Sequence, residues 1–296
     1  MRYRDAGALR QALEQRLKTR AAGDGARLAR DRKRVAFERL LARLAATAPG
    51  RWLLKGGFAL EVRLAGQARA TKDVDIEWRA DEEALLDALI EAAGHDAGDF
   101  FDFSIERAGA PEDRLGGSHR FRVTASLGGR PFESFPLDVG VRREPDASSE
   151  TLTIPNLLAF AGVEPVTVPA IPLERQAAEK LHAYTRTYEG SRPSTRAKDL
   201  VDLALIAELS SLDAAALRGE IEATFAARDT HPIPPALHQP PEGWRTPFRR
   251  LAEAVGVPGD LGAGHDTAAA MLDPSLEGAV ERGRWDPEAR RWITGD

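Results

Sequence analysis

The chain predicts an α+β fold: a mixed-sheet domain with flanking helices over residues 1–150, then a helical domain over residues 151–296. Three observations predict it. Two helix-period segments open the chain. A block from Trp52 to Val141 carries strand alternation, interrupted by only two short helical stretches. Helical periodicity then returns beyond about Ile154 and persists to the C-terminal region. At 296 residues the chain is long enough for two ordinary domains.

Residues 5–21 and 26–47 read as helices separated by Asp24-Gly25. In the second, Leu28, Val35, Phe37, Leu40, Leu41 and Leu44 recur at helical spacing. Trp52-Leu53-Leu54 reads as a buried strand that runs into Lys55-Gly56-Gly57, with a helix from Phe58 to Leu64. Asp73 to Trp78 alternates strictly and reads as a strand. Asp81 is expected to cap the next helix, with Leu85, Leu86, Leu89 and Ile90 as its buried stripe. Phe100–Ile105, Phe121–Leu127 and Pro131–Val141 read as strands, the last two joined at Gly128-Gly129. Around Ile154–Leu158 the pattern changes from strand to helix. Helices follow over Leu173–Tyr188 and Thr195–Leu209, then a Pro-rich connector at 230–241 and helical segments over Pro247–Val255 and Thr267–Arg282.

Composition removes several chemistries. The chain has no cysteine, which excludes disulfides, thiolate nucleophiles and Cys-based zinc sites. Its six histidines are scattered, without metal-ligand spacing. No apolar run approaches the about 18 residues of a membrane span, and no signal-peptide core stands at the start, so a cytoplasmic location and no membrane contact are expected. Charge is uneven. Residues 1–51 hold 14 Lys and Arg against five acids, a net of +9, which leaves −14 for the rest of a chain whose total is −5. A basic segment on an acidic body suggests a polyanionic partner, or equally a solvated amphipathic helix pair.

The residues that carry chemistry cluster between Leu53 and Trp78. A Gly-Gly turn lets backbone N–H groups approach a phosphate chain. Strand periodicity places Asp73 and Asp75 on one face, with Val74 and Ile76 on the other. Two carboxylates facing the same way repel unless a cation lies between them. Asp138, between Leu137 and Val139, stands alone on a later strand. If the two strands are adjacent, Asp73, Asp75 and Asp138 form an all-oxygen site suited to Mg²⁺ or Mn²⁺. Such a site serves in-line phosphoryl transfer from a nucleoside triphosphate. Asp-x-Asp alone also fits a solvated strand face; the preceding Lys-Gly-Gly and the downstream Asp138 make the combination more specific. Downstream, Lys180 lies beside the apolar face of one helix and Asp199 in the first turn of the next. Taken singly, each also fits a surface or helix-start residue.

Three segments resemble the AbiEii-type nucleotidyltransferase toxins of type IV toxin–antitoxin and abortive-infection systems, within the DNA-polymerase-β-like nucleotidyltransferase superfamily. The first is Leu54-Lys55-Gly56-Gly57-Phe58-Ala59-Leu60 with Arg69-x-Thr71-x-Asp73-Val74-Asp75-Ile76. The second is Leu137-Asp138-Val139. The third is Glu179-Lys180-Leu181 with Arg196-x-Lys198-Asp199-x-x-Asp202-Leu203. The resemblance covers residues 50–210 well and the C-terminal helices loosely. It implies Asp73 and Asp75 as metal ligands and catalytic residues, Thr71 at the triphosphate, and Lys180 and Asp199 as the remaining catalytic pair on the helical domain across the cleft. Asp138 takes the third-carboxylate role. One departure stands out: Phe58 follows the glycines where the family has Thr or Ser, so Thr71 or Lys55 is expected to replace that hydroxyl beside Gly56 and Gly57.

The resemblance implies a Mg²⁺-dependent toxin that moves NMP from an NTP to an acceptor, foremost the 3′ end of tRNA. A cognate antitoxin is its genetic partner, and with no exposed aromatic or leucine stripe a monomer is expected. Two alternatives remain. One is nucleotidylation of a protein or of a small molecule such as an aminoglycoside, which an acidic body would attract. The other, for which Phe58 speaks, is a degenerate, non-catalytic RNA- or nucleotide-binding module.

Overall fold

The computed structural model describes residues 1–109, 118–142, 148–186 and 196–294. It is a mixed α+β structure, and its internal contacts divide it into two units: Met1–Ala65 with Ala70–Ile171, and Gly66–Arg69 with Pro172–Asp296.

The first unit opens with helices α1 (Ala6–Ala21) and α2 (Gly25–Thr47). Each is started by an aspartate: Asp5 accepts the Ala8 N–H at 2.8 Å, and Asp24 accepts those of Ala26 and Arg27 at 2.8 and 3.1 Å. Strand β1 (Trp52–Lys55) runs directly into helix α3 (Gly56–Arg63), and β2 (Val74–Trp78) is followed by α4 (Glu83–Gly94). Strands β3 (Phe101–Ala108), β4 (Ser118–Leu127), β5 (Arg130–Val141), β6 (Glu150–Ile154) and β7 (Val166–Ala170) complete a seven-stranded sheet of order β3-β4-β5-β2-β1-β7-β6. Its β2/β5 and β1/β7 pairs are parallel and the remaining pairs antiparallel.

Alternation divides this sheet. Trp52, Leu54, Val74, Ile76, Trp78, Phe121, Val123, Leu137 and Val139 face a core shared with Leu9, Leu13, Leu40, Leu44 and Leu89 of the helices. The residues between them, Lys55, Asp75, Glu77, Arg120 and Asp138, therefore stand on the opposite face. That single fact gathers the charged groups of the strands.

The chain departs from its sequence pattern in three places. On α4 the buried positions are Leu85, Ala88, Leu89 and Ala92, whereas Leu86 and Ile90 are 50% and 60% exposed. The helix sets its small alanines against the core, which turns the two larger neighbours outward. Asp81 does not cap it. Its carbonyl accepts the Trp78 indole N–H and the Ala84 N–H, and the helix starts at Glu83 without a side-chain cap. Strand β7 is the second departure. The prolines around Val166-Thr167-Val168 disguise a strand whose Pro169 pairs opposite Thr151 on the edge strand β6.

The second unit holds α5 (Leu173–Thr185), α6 (Ala197–Leu209), α7 (Ala214–Arg228), α8 (Arg245–Glu253) and α9 (Leu261–Leu276). Tyr188 and Thr195, expected at the facing ends of α5 and α6, lie outside the described residues. The third departure is at the C-terminal end. α9 begins at a side-chain cap from Asp260 and ends by Leu276, and a hairpin of β8 (Arg284–Asp286) and β9 (Arg291–Ile293) follows. Three-residue strands are too short to show a period, so only pairing reveals them.

Candidate functional site

The sheet unit carries a compact set of groups where β1 meets α3. Lys55 lies opposite Asp75 in the β1/β2 register. The chain then turns through Gly56 at φ +68°, a left-handed conformation that favours glycine. A Cβ on Gly56 would stand 2.1 Å from Asp75 Oδ2 and 2.7 Å from its Cβ. Gly56 is thus required twice, by its backbone angle and by the carboxylate pressed against it. The closeness is useful chemically, because it sets the first N–H groups of α3, with their positive end of the helix dipole, next to a carboxylate.

Thr71 is buried, and its hydroxyl donates to Asp73 Oδ1 at 2.7 Å. It therefore orients the first aspartate of the Asp-x-Asp pair. Asp138 lies directly opposite Asp75 in the parallel β2/β5 register, so the two strands are neighbours. The Asp138 carboxylate is 2% exposed and takes both prongs of a guanidinium, with Arg120 Nε and Nη2 each 2.7 Å from one of its oxygens. Hydrogen bonding to Asp138 raises the Arg120 pKa above its ordinary value against the cost of burial, and the charges of Asp138, Asp73 and Asp75 add to the effect. All three carboxylates thus act on one guanidinium.

Two hard carboxylates, Asp73 and Asp75, fit a Mg²⁺ ion. Mg²⁺ is held by one or two carboxylates together with substrate phosphates and water, rather than by a closed protein cage. Among the described residues no three His, Cys, Asp or Glu side chains are gathered as a ready-made metal cage. The Asp138 oxygens are directed to Arg120 instead.

Phe58 is not a substitute in the phosphate turn. Its ring lies in the core, edge-on to Phe37 with centroids 5.0 Å apart and 1% exposed. It anchors α3 to the helix layer through an aromatic contact.

The helical unit carries the second set. Lys180 Nζ on α5 is 2.5 Å from Asp202 Oδ2 and 3.9 Å from Asp199 Oδ1, both on α6. The three-residue spacing of Asp199 and Asp202 puts them on one helix face. Arg69 grips Asp202 through Nε and Nη2 at 3.0 Å each, and Arg196 Nη1 lies 3.1 Å from Asp199 Oδ2. Asp202 has no exposed surface. Burial by itself pushes its carboxyl upward. The Lys180 ammonium and Arg69 guanidinium beside it outweigh that, and the carboxyl is held below the usual range.

Three site residues went without a role in the sequence reading. Asp202 and Arg69 had a signal, since both stand in the motif stretches that carry Asp199 and Thr71. Arg120 had none: the apolar alternation that marks its strand begins one residue later, at Phe121.

The basic N-terminal segment is largely engaged within the sheet unit. Arg10 donates to the carbonyls of Leu127, Arg130 and Pro131; Arg43 pairs with Asp99 at 2.8 Å; Lys33 pairs with Glu133 at 2.9 Å. Arg30 and Arg34 both pair with Glu61. Part of the +9 excess thus ties α1 and α2 to the rest of the sheet unit. Among the described residues no helix is long and apolar enough to cross a membrane.

Comparison with known proteins gives the family and the fold. The model of the family described as Nucleotidyl transferase AbiEii toxin, Type IV TA system, matches residues 39–280. Among solved structures, MenT4, a nucleotidyltransferase toxin of Mycobacterium tuberculosis H37Rv, is similar with a TM-score of 0.58 and 22% identity, over 91% of this chain and 99% of that one. Two Helicobacter pylori structures also align. JHP933 does so at a TM-score of 0.41 and 16% identity, over 83% of this chain and 90% of its own. A putative nucleotidyltransferase does so at 0.43 and 17%, over 85% and 97%. No curated protein matches the sequence significantly. The MenT4 likeness supports the fold, and the family match covers most of the chain: this protein belongs to the AbiEii nucleotidyl transferase toxins of type IV toxin–antitoxin systems and is a nucleotidyltransferase.

Proposed function

We propose that this toxin transfers NMP from an NTP to the 3′ end of a tRNA, with Mg²⁺ or Mn²⁺ as the ion. The observation that supports the reading is the packing of Gly56 against Asp75, which sets the Gly-Gly turn beside a carboxylate of the Asp-x-Asp pair. The acceptor hydroxyl oxygen forms a bond to the α-phosphorus, the α–β phosphoanhydride bond breaks, and pyrophosphate leaves. A divalent ion at Asp73 and Asp75 would neutralise phosphate charge and favour ionisation of the attacking hydroxyl.

The chain's own residues do the rest. Backbone N–H groups after Lys55, at Gly56 and Gly57, bind the triphosphate. Thr71 keeps Asp73 in orientation. On the helical unit, Lys180 and Asp199, 3.9 Å apart, are the second catalytic pair that the family resemblance implies. The tRNA acceptor rests on the family resemblance. The cognate antitoxin is the genetic partner of a toxin of this class.

The test is a transfer assay with the four labelled NTPs, each given total tRNA, total protein, an aminoglycoside or no acceptor. Label on tRNA that is lost in Asp73→Ala and Lys180→Ala is expected. Label that appears only on protein or on the drug would move the acceptor. No Mg²⁺-dependent transfer to any of them would overturn the reading.

Gly56→Ala makes a second prediction. A left-handed alanine costs about 1–2 kcal/mol, and Asp75 must shift to admit the methyl group. A displacement on the order of 1 Å at reacting groups is expected to slow transfer about 100-fold. Pyrophosphate release and a thermal melt measure the two effects. A variant with wild-type turnover would show that the turn does not position Asp75 for chemistry.

A further inference from the structure

Three register pairs place four charged residues in one row across adjacent strands. Lys55 lies opposite Asp75, Asp75 opposite Asp138, and Asp138 opposite Arg120. Directly opposed residues project from the same face of a sheet, so the row reads cation, carboxylate, carboxylate, cation. Asp138 is buried at its centre, while the Arg120 side chain keeps 29% of its surface exposed.

The hydrogen bonds at the Asp138 end matter most. A guanidinium that donates one N–H to each carboxylate oxygen uses the directions along which a metal ion would be held. With both contacts at 2.7 Å, Asp138 is engaged as an ion-pair partner. Chelation of a metal ion through both oxygens requires the Arg120 fork to let go. Arg120 has somewhere to go, because a planar fork matches phosphate oxygens as well as it matches a carboxylate. A triphosphate also brings more negative charge than one divalent ion cancels, so a guanidinium released from Asp138 remains useful beside it.

We propose that Arg120 is a positioning residue that holds Asp138 away from metal until a nucleotide is present. In the nucleotide-free enzyme it neutralises the third carboxylate and keeps affinity for the bare ion low. When the triphosphate arrives, Arg120 transfers its fork to the phosphates and releases Asp138. Metal and nucleotide then enter together, and the enzyme does not carry a tightly bound ion between turnovers. The proposal rests on the metal-dependent reading above, but its test needs neither nucleotide nor acceptor. Failure of that reading would appear separately, as absence of label transfer by the wild-type protein.

The experiment titrates the full-length protein with Mn²⁺ alone and follows the free ion by electron paramagnetic resonance. Arg120→Gln is expected to bind Mn²⁺ at least about tenfold more tightly than wild type, and Arg120→Gln/Asp138→Asn is expected to lose that gain. Arg120→Lys keeps the charge without the fork and should gain a few-fold; it decides the matter if the glutamine variant does not fold. With NTP present, Arg120→Gln should raise the nucleotide KM more than it changes kcat. Unchanged or weaker Mn²⁺ binding by the single variants would overturn the proposal. So would a gain that persists in the double variant.

Discussion

Asp75→Asn is expected to lower nucleotidyl transfer by about 10³-fold while the protein remains folded. The substitution keeps the shape that Gly56 packs against and removes only the negative charge. Charge stabilisation by a bound divalent ion is worth several kcal/mol at the transition state, and each ~1.4 kcal/mol is tenfold in rate. Initial rates of pyrophosphate release at saturating NTP, with circular dichroism melts alongside, measure the effect. Transfer within tenfold of wild type by a folded Asp75→Asn protein would remove Asp75 from the chemistry. It would also leave the contact with Gly56 as a purely structural one.

The second large effect concerns stability. Asp202→Ala is expected to destabilise the helical unit by about 3–5 kcal/mol, because it leaves Lys180 and Arg69 without the carboxylate that both engage. For a protein of this size that corresponds to a fall of roughly 10 °C in Tm. Asp202→Asn, which retains shape and hydrogen-bonding capacity, should fall less. Scanning calorimetry of the three proteins distinguishes the cases. A Tm within about 2 °C of wild type for Asp202→Ala would mean that the two cations find other partners, and that Asp202 does not anchor Lys180. Activity gives an independent readout, since a Lys180 freed from its anchor should raise the KM for NTP before it lowers kcat.

These two aspartates show how far the sequence could be read. The motif around Asp75 was legible because its signal is local. A Lys-Gly-Gly turn, a short helix and an alternating Asp-x-Asp strand follow one another within about two dozen residues. Asp202 stood in a recognisable motif without a role, because its importance lies in contacts with Lys180 and Arg69. Arg69 is 133 positions away. The α4 stripe shows the opposite failure. Of the apolar face Leu85, Leu86, Leu89 and Ile90, the helix buries Leu85 and Leu89 but turns Leu86 and Ile90 outward, because it sets Ala88 and Ala92 against the core. Which side faces inward depends on the space left by α2 and β3, and no periodicity contains that information. Phe58 is similar. As a residue after two glycines it suggested a damaged phosphate site, and only its position in the core against Phe37 shows it to be an anchor.

By itself the sequence determined the type of most elements, the Gly-Gly and Asp-x-Asp motifs, and the family. Spacing along a chain is covalent, and helix and strand periods convert it directly into shared faces. Tertiary structure alone decided which strands became neighbours, and with that the fate of every charge in the site. Asp138 meets Asp75 because β2 and β5 pair in parallel, and it meets Arg120, 18 positions before it, because β4 and β5 pair in one particular register. A buried carboxylate must find a cation or ion partner, and which one it finds is set by hydrogen-bond register between segments that the sequence keeps apart.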